Sequence, residues 1–281
     1  MKKITGTKNW KFYFTNAFTS VFANCWSLEE VDVSGWKVDT ITSFANMFDY
    51  CYSLKVIDVS GWTPTASTSF SAMFRYCLHL KTIDISTWVA PNCTSYANMF
   101  DNCRSLVSCG DLSNLNTSKV TTTQSMFAGC WSLTSLTGLS NWDMQKVTNI
   151  SYMFQYCEAL KSLSISNWNL AACTTIAYTF AHMRNLETLD LYNWSIPKVA
   201  TVTQCFYYLY NLKTIVHTLP LAIAHTYTHC ENISHQSVLN IISALPTVSK
   251  STTVTINAMA NNQLTAAERA VATAKGWTVA A

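Results

Sequence analysis

One segment of the chain nearly rewrites another. Residues 47–62 read MFDYCYSLKVIDVSGW, and residues 73–88 read MFRYCLHLKTIDISTW, with Met-Phe, Cys, Leu, Ile-Asp and Trp in the same slots. The conserved phenylalanine recurs at Phe22, Phe48, Phe74, Phe100, Phe127, Phe154, Phe180 and Phe206, at spacings of 26 or 27 residues. A fixed period of this length is the signature of a solenoid or repeat array, in which each unit buries its apolar stripe only against its neighbours. Eight units run from about Thr15 to about Pro220.

The sixth unit, Val147 to Trp168, shows what each must do. Ile150, Met153, Phe154 and Cys157 fall at i, i+3, i+4 and i+7, the spacing of one face of a short helix, with Thr148 as its N-cap. Leu160-x-x-Leu163-x-Ile165 then alternates as a short strand. The other regular units repeat it: Leu28/Val31/Val33, Leu54/Ile57/Val59, Leu80/Ile83/Ile85 and Leu186/Leu189/Leu191. Stacking places each strand beside the same strand of the next unit, in parallel and about 4.8 Å away. Units four and five each carry one extra residue, which predicts a local bulge near Gly110 and Gly138. Trp36, Trp62, Trp88, Trp142, Trp168 and Trp194 close the turn after the strand, with Leu115 in that slot in unit four. Their indole N–H groups are expected to bond backbone there.

The eleven cysteines raise the question of disulfides. Cys25, Cys51, Cys77, Cys103, Cys130 and Cys157 share one slot, which holds Met183 and Leu209 in the next two units. Cys93 and Cys173 share another with Ile41, Val120, Val147 and Val199. Slots that accept Met, Leu, Ile or Val are apolar, so these are read as buried thiols rather than disulfides or metal ligands.

These repeats, VTNISYMFQYCEALKSLSISNW and its seven cousins, resemble those of the BspA-like leucine-rich repeat family over about three quarters of the chain. The resemblance implies a right-handed leucine-rich repeat solenoid, an α/β fold with a parallel β-sheet on one face and short helices or turns on the other. Members are mostly surface proteins of mucosal and gut bacteria, mycoplasmas and some protists, and similar arrays occur in phages of gut bacteria. The family implies adhesion or surface binding, with no shared enzymatic activity.

After Pro220 the period is lost. Ser234 caps a helix whose Val238, Ile241, Ile242 and Leu245 share a face, stopped by Pro246. Residues 251–257 alternate as a strand, and a second helix follows with Thr265 and Glu268 as a capping box and Gly276 at its end. Residues 1–220 are thus expected to form the solenoid and 221–281 a small α/β cap that shields the last turn.

The function follows from what is absent and what varies. No nucleophile elbow, zincin, P-loop or C-x-x-C motif occurs, so no enzyme and no cofactor is expected. His225, His229, Cys230 and His235 cluster in sequence but match no zinc pattern. A net charge of +3 without a basic run argues against nucleic acid, and no apolar stretch is long enough to insert in a membrane. The N-terminus, MKKITGTKNWKFYF, has no apolar signal run.

Asp32, Asp58, Asp84 and Asp190, with Asp111 nearby, lie on the solvent side of the strands; they are read as pairing with Lys55, Lys81 and Lys161 and bonding the following serines, Ser34, Ser60 and Ser86. The slots flanking the buried cysteine vary most. They hold Tyr50, Tyr52, Arg75, Tyr76, Arg104, Trp131, Tyr156 and Tyr208, with Asn102, Arg184, Tyr207 and Tyr210 in equivalent places. Tyr, Trp and Arg are the residues enriched at binding hot spots, and they also pack over one another. Either role fits the sequence. The expectation is a binding ridge for a protein or carbohydrate on a host or partner surface, with the protein extracellular, at a cell surface or on a virion. The alternative is a phage decoration or receptor-binding protein of the head or tail. An oligomer is compatible with either.

Overall fold

The computed structural model describes residues 2–7, 16–217 and 221–281. The unit limits drawn at Thr15 and Pro220 lie outside these residues. The chain is a parallel β-solenoid of about ten turns with few helices. Regular strands are short: β1 (Lys3–Ile4) pairs in parallel with β2 (Glu30–Val31), and β3 (Thr188–Leu191) with β4 (Thr214–His217). Single parallel bridges such as Glu30 to Val56 and Thr82 to Ser108 carry the same ladder between them.

A second ladder runs up the other flank. Ala17, Ser43, Ser69, Ser95, Thr122, Asn149, Thr175 and Thr201 are bridged in sequence. The residues after each bridge do not form the expected helix; among the described residues no α-helix lies within the repeats. The apolar spacing is nonetheless obeyed, because Ile150, Met153, Phe154 and Cys157 are all fully buried. The backbone reaches this burial by consecutive turns. Met153 N–H bonds Ile150 C=O and Cys157 N–H bonds Phe154 C=O, while Tyr152 and Tyr156 N–H groups instead reach Ala177 and Ala181 on the next turn, at 2.9 and 3.0 Å. A helix could not do this. Its N–H groups are spent internally, and neighbouring helices need about 8–10 Å between axes against a rise of about 4.8 Å per turn.

The buried slots form files along the axis. Phe48, Phe74 and Phe100 stack nearly parallel at 5.5 and 5.6 Å. Trp36, Trp62 and Trp88 stack at 6.3 and 5.9 Å, and Trp142, Trp168 and Trp194 at 6.2 and 5.8 Å. Where Leu115 interrupts, Tyr96 leans to 6.5 Å from Trp142. Each indole N–H donates to a backbone carbonyl of the preceding turn, as Trp62 does to Val33 at 3.0 Å and Trp168 to Leu139 at 2.9 Å. The cysteines are free thiols. Cys51, Cys77, Cys103, Cys130 and Cys157 donate to the carbonyl of the phenylalanine one turn back, at 3.0–3.3 Å. Thr148, expected as an N-cap, belongs to a further file: Thr42, Thr68, Thr94, Thr121, Thr148 and Thr174 each donate Oγ1–H to the carbonyl of the same slot one turn back, and Thr148 reaches Thr121 at 3.0 Å.

The extra residues fall where expected. Gly110 and Gly138 have φ of 81° and 83°, and a Cβ on Gly138 would lie 2.2 Å from Ser113 N. A single 3-10 turn, Leu139–Asn141, follows.

The files continue past the regular units. Tyr227 stacks on Phe206 at 4.7 Å, and Cys230 donates to the Phe206 carbonyl at 3.6 Å. Then α1 (His235–Ala244) lies over β4, with Ser237 Oγ accepting from Ile215 N–H. Its cap, Ser234, and its buried Val238, Ile241 and Ile242 are those read from sequence. A three-stranded parallel sheet completes the end: β5 (His225–Tyr227), β6 (Thr252–Ile256) and β7 (Trp277–Ala280), in that order. Between β6 and β7 run α2 (Ala258–Asn262) and α3 (Ala266–Thr273), the latter opened by the Thr265–Glu268 capping box.

Candidate functional site

Two columns of left-handed backbone organise one edge of the array. Ser20, Asn46, Ala72, Asn98, Ser125, Tyr152, Tyr178 and Gln204 form the first; Asn24, Tyr50, Tyr76, Asn102, Gly129, Tyr156, His182 and Tyr208 form the second, four residues later in each unit. Outside glycine and asparagine, such φ values are rare and cost about 1–2 kcal/mol each. In return the second-column N–H groups from Asn24 to His182 are turned along the axis to the next turn, as Tyr50 N–H is to the Arg75 carbonyl at 2.9 Å.

The second column and its neighbours hold the residues singled out from sequence, and the structure gathers them into two groups. In the first, Tyr50 and Tyr76 stack at 4.7 Å and 8°, with Tyr52 edge-on to both. Arg75 lies 5.1 Å from the centre of the Tyr50 ring and grips the buried Asp49 through two hydrogen bonds of 2.8 and 2.6 Å. That carboxylate holds the Arg75 guanidinium more firmly charged than usual. One turn on, burial pushes the Asp101 carboxyl up to about 6, despite a hydrogen bond from Asn102.

Asn102 and Gly129 carry no ring, and there the file steps sideways. Arg104 covers one side of Trp131 at 5.2 Å, and Trp131 tilts against Tyr156 at 6.2 Å. Tyr156, His182, Tyr208 and His229 then stack at 4.2, 4.7 and 4.3 Å. Tyr207 and Tyr210 flank this end, and Arg184 lies between Tyr210 and Glu158. His182 has its pKa lowered by burial and by Arg184. The edge also holds His182, Tyr152, Tyr178 and Trp26, and His229, which the sequence groups instead with the histidines near it. All but His229 occupy repeat slots that hold aromatic or arginine residues in other units, so aligning the units exposes them. Trp26 is 59% exposed.

The rings face one another, so the edge offers their rims: phenolic hydroxyls, imidazole nitrogens, guanidinium groups, and the exposed indole of Trp131. The thiols are sealed away. Burial raises Cys51, Cys93 and Cys109 to about 12 and Cys173 to about 11, which keeps them protonated and unreactive. The histidines near the cap separate into different roles: His225 bonds the Ile223 carbonyl, His229 joins the ring file, and His235 meets Glu268 at 3.0 Å. The aspartate column is bound up in turns, with Asp58 accepting from Ser60 N–H and Oγ–H, and Asp84 from Ser86 N–H. The lysines differ from expectation: Lys55 pairs with Glu29 rather than with an aspartate, and neither Lys81 nor Lys161 forms an ion pair with the described residues.

A family model described as "Mycoplasma protein of unknown function, DUF285" matches residues 2–109 and 124–219. A second, "BspA type Leucine rich repeat region", matches in six copies over residues 73–171. This is a DUF285-family protein built of BspA-type leucine-rich repeats. No curated protein matches it. Among solved structures, the DUF285 chain is similar to a leucine-rich repeat protein from Bacteroides ovatus ATCC 8483, at 15% identity and a TM-score of 0.42 over 84% of its length. It spans 65% of that chain. It is also similar to a leucine rich cell surface protein from Faecalibacterium prausnitzii A2-165, at 16% identity and a TM-score of 0.29, covering 83% of this chain and 82% of that one. Among the described residues of the DUF285 chain, no helix is long and apolar enough to cross a membrane.

Proposed function

We propose that this protein is a non-enzymatic recognition scaffold whose ring-lined edge binds a protein or glycan on a host or partner surface. The file from Arg104 through Trp131, Tyr156, His182 and Tyr208 to His229 carries this reading. Its composition is that of interface hot spots. Its rings are held by their neighbours before any partner arrives, so little side-chain entropy is lost on binding. The same reading puts the protein at a cell or virion surface, where immunogold labelling of the native source should find it; label confined to the cell interior contradicts that.

The edge is tested with Tyr156→Asn/Tyr208→Asn and Trp131→Ala/Arg184→Gln variants, since asparagine tolerates the left-handed backbone. Fluorescently labelled wild type should bind host cells in flow cytometry, and each double variant should bind at least tenfold less at an unchanged melting temperature. Equal binding by both variants removes the edge as the site.

A further inference from the structure

We infer that the crevice between the eighth turn and the cap sheet is a saccharide-binding site, separate from the ring-lined edge. The depression is about 300 Å³ and lies between residues 202–204 and strands β5 and β6. This is at the small end of ligand sites, so one or two sugar rings fit. Its polar lining is Thr203, Gln204, Thr226, Thr253 and Thr255, with His225, whose ring is buried, bonded to the Ile223 carbonyl and kept neutral by burial; no Asp, Glu, Lys or Arg lines it. Strand alternation sets this lining. In β6, Val254 and Ile256 point into the core and Thr253 and Thr255 away from it; in β5, Thr226 points away between the buried His225 and Tyr227. The register places Thr226 beside Thr255.

One file of threonines in the coil, Thr42, Thr68, Thr94, Thr121, Thr148 and Thr174, spends its hydroxyls on the neighbouring turn, each donating to a carbonyl at 2.6–3.2 Å. Those of the crevice are used differently. Thr226 bonds only Thr228, and the side chains of Thr203, Gln204, Thr253 and Thr255 make no hydrogen bond with the described residues. A hydroxyl or a primary amide both donates and accepts. Four hydroxyls and an amide converging on an uncharged hollow match the hydroxyls of a sugar, which have the same double character. An ionic peptide would find no counter-charge there. The first left-handed column supplies an aromatic neighbour: Tyr152 and Tyr178 stack at 4.8 Å, and Gln204 stands where a third ring would follow. Tyr207 joins Gln204 through a turn, its N–H on the Gln204 carbonyl at 3.2 Å.

The test uses the full chain on an array of neutral and acidic oligosaccharides, followed by calorimetric titration of the strongest neutral glycan. Thr253→Val/Thr255→Val keeps shape and strand preference while removing two hydroxyls. It should weaken binding at least tenfold, and Gln204→Asn, which keeps the left-handed backbone, should weaken it severalfold. Should the double variant melt early, Gln204→Asn alone decides. The inference is overturned if wild type binds no saccharide, or if these variants bind as wild type does. It is also overturned if only Tyr156→Asn/Tyr208→Asn abolishes glycan binding, because the sugar then sits on the edge. Cell binding through the edge can survive each of these failures, so the two readings fail separately.

Discussion

Ala72 holds a φ of 53°, in a slot where other turns place asparagine. Its methyl group is buried but lies outside the main apolar cluster, so relief of the left-handed backbone outweighs its loss and Ala72→Gly should stabilise the protein by about 0.5–1 kcal/mol in urea unfolding. Unchanged or lower stability would mean that the left-handed columns carry no strain. The thiols make a pH prediction. Every cysteine for which burial raises the pKa is neutral when folded, up to about 12 for Cys51, Cys93, Cys109 and Cys230. Unfolded, a thiol ionises near about 8.5. Their contribution is therefore complete below that pH and is lost as pH rises towards 12, at up to about 1.4 kcal/mol per thiol per pH unit. The urea midpoint should fall steeply between pH 8.5 and 10.5; a flat profile contradicts buried thiols. The buried slots were legible because side-chain chemistry repeats in phase: a position that accepts Cys, Met and Leu announces its surroundings. The left-handed columns were not legible, because Tyr50, Ala72 and His182 lack the glycine or asparagine signature that normally marks such backbone.

Turns two and three repeat one another nearly slot for slot, whereas four and five need special residues. A methyl group on Gly138 would collide with Ser113 N at 2.2 Å and Asp111 Oδ1 at 2.4 Å, from a backbone at φ 83°. Gly138→Ala should destabilise by about 3 kcal/mol. Gly61→Ala, whose methyl would sit at an ordinary 3.4 Å from the Ser34 carbonyl, should change stability by under about 1 kcal/mol. Equal effects in denaturation would contradict the bulge. The one misread element, a helix at residues 147–157, shows where sequence reading stopped. The periodicity of Ile150, Met153, Phe154 and Cys157 reports which residues are buried, and both a helix and a chain of turns satisfy it. The 4.8 Å rise between turns decides between them, and that rise belongs to the neighbours rather than to the unit. In the cap the signals are local, so Ser234, Thr265 and Glu268 gave the two longer helices directly. The short α2 and the edge strands β5 and β7 lack such signals. The candidate edge was half legible: its aromatic slots could be read, but the mutual stacking of Tyr156, His182, Tyr208 and His229 required the turns to be superposed.

An array whose turns touch only their neighbours should tolerate the loss of a whole turn but not of a fraction. Deleting residues 69–94 joins Thr68 to Ser95 in unbroken phase, and the shortened chain should still unfold cooperatively, with a denaturant slope reduced roughly in proportion to the buried surface lost. Deleting half as many residues from the same place should abolish the fold by circular dichroism. A folded half-turn deletion would mean that phase does not govern the structure. Superposed slots are the claim on which the fold, the edge and the crevice all rest, and thiol labelling of the native protein at pH 8 tests it most directly. The account predicts that the half-buried Cys25 alone reacts quickly, and that the intact mass shows eleven free thiols after unfolding. Rapid labelling of several cysteines in the native state, or a mass lower by two hydrogens for each bridge formed, would contradict it.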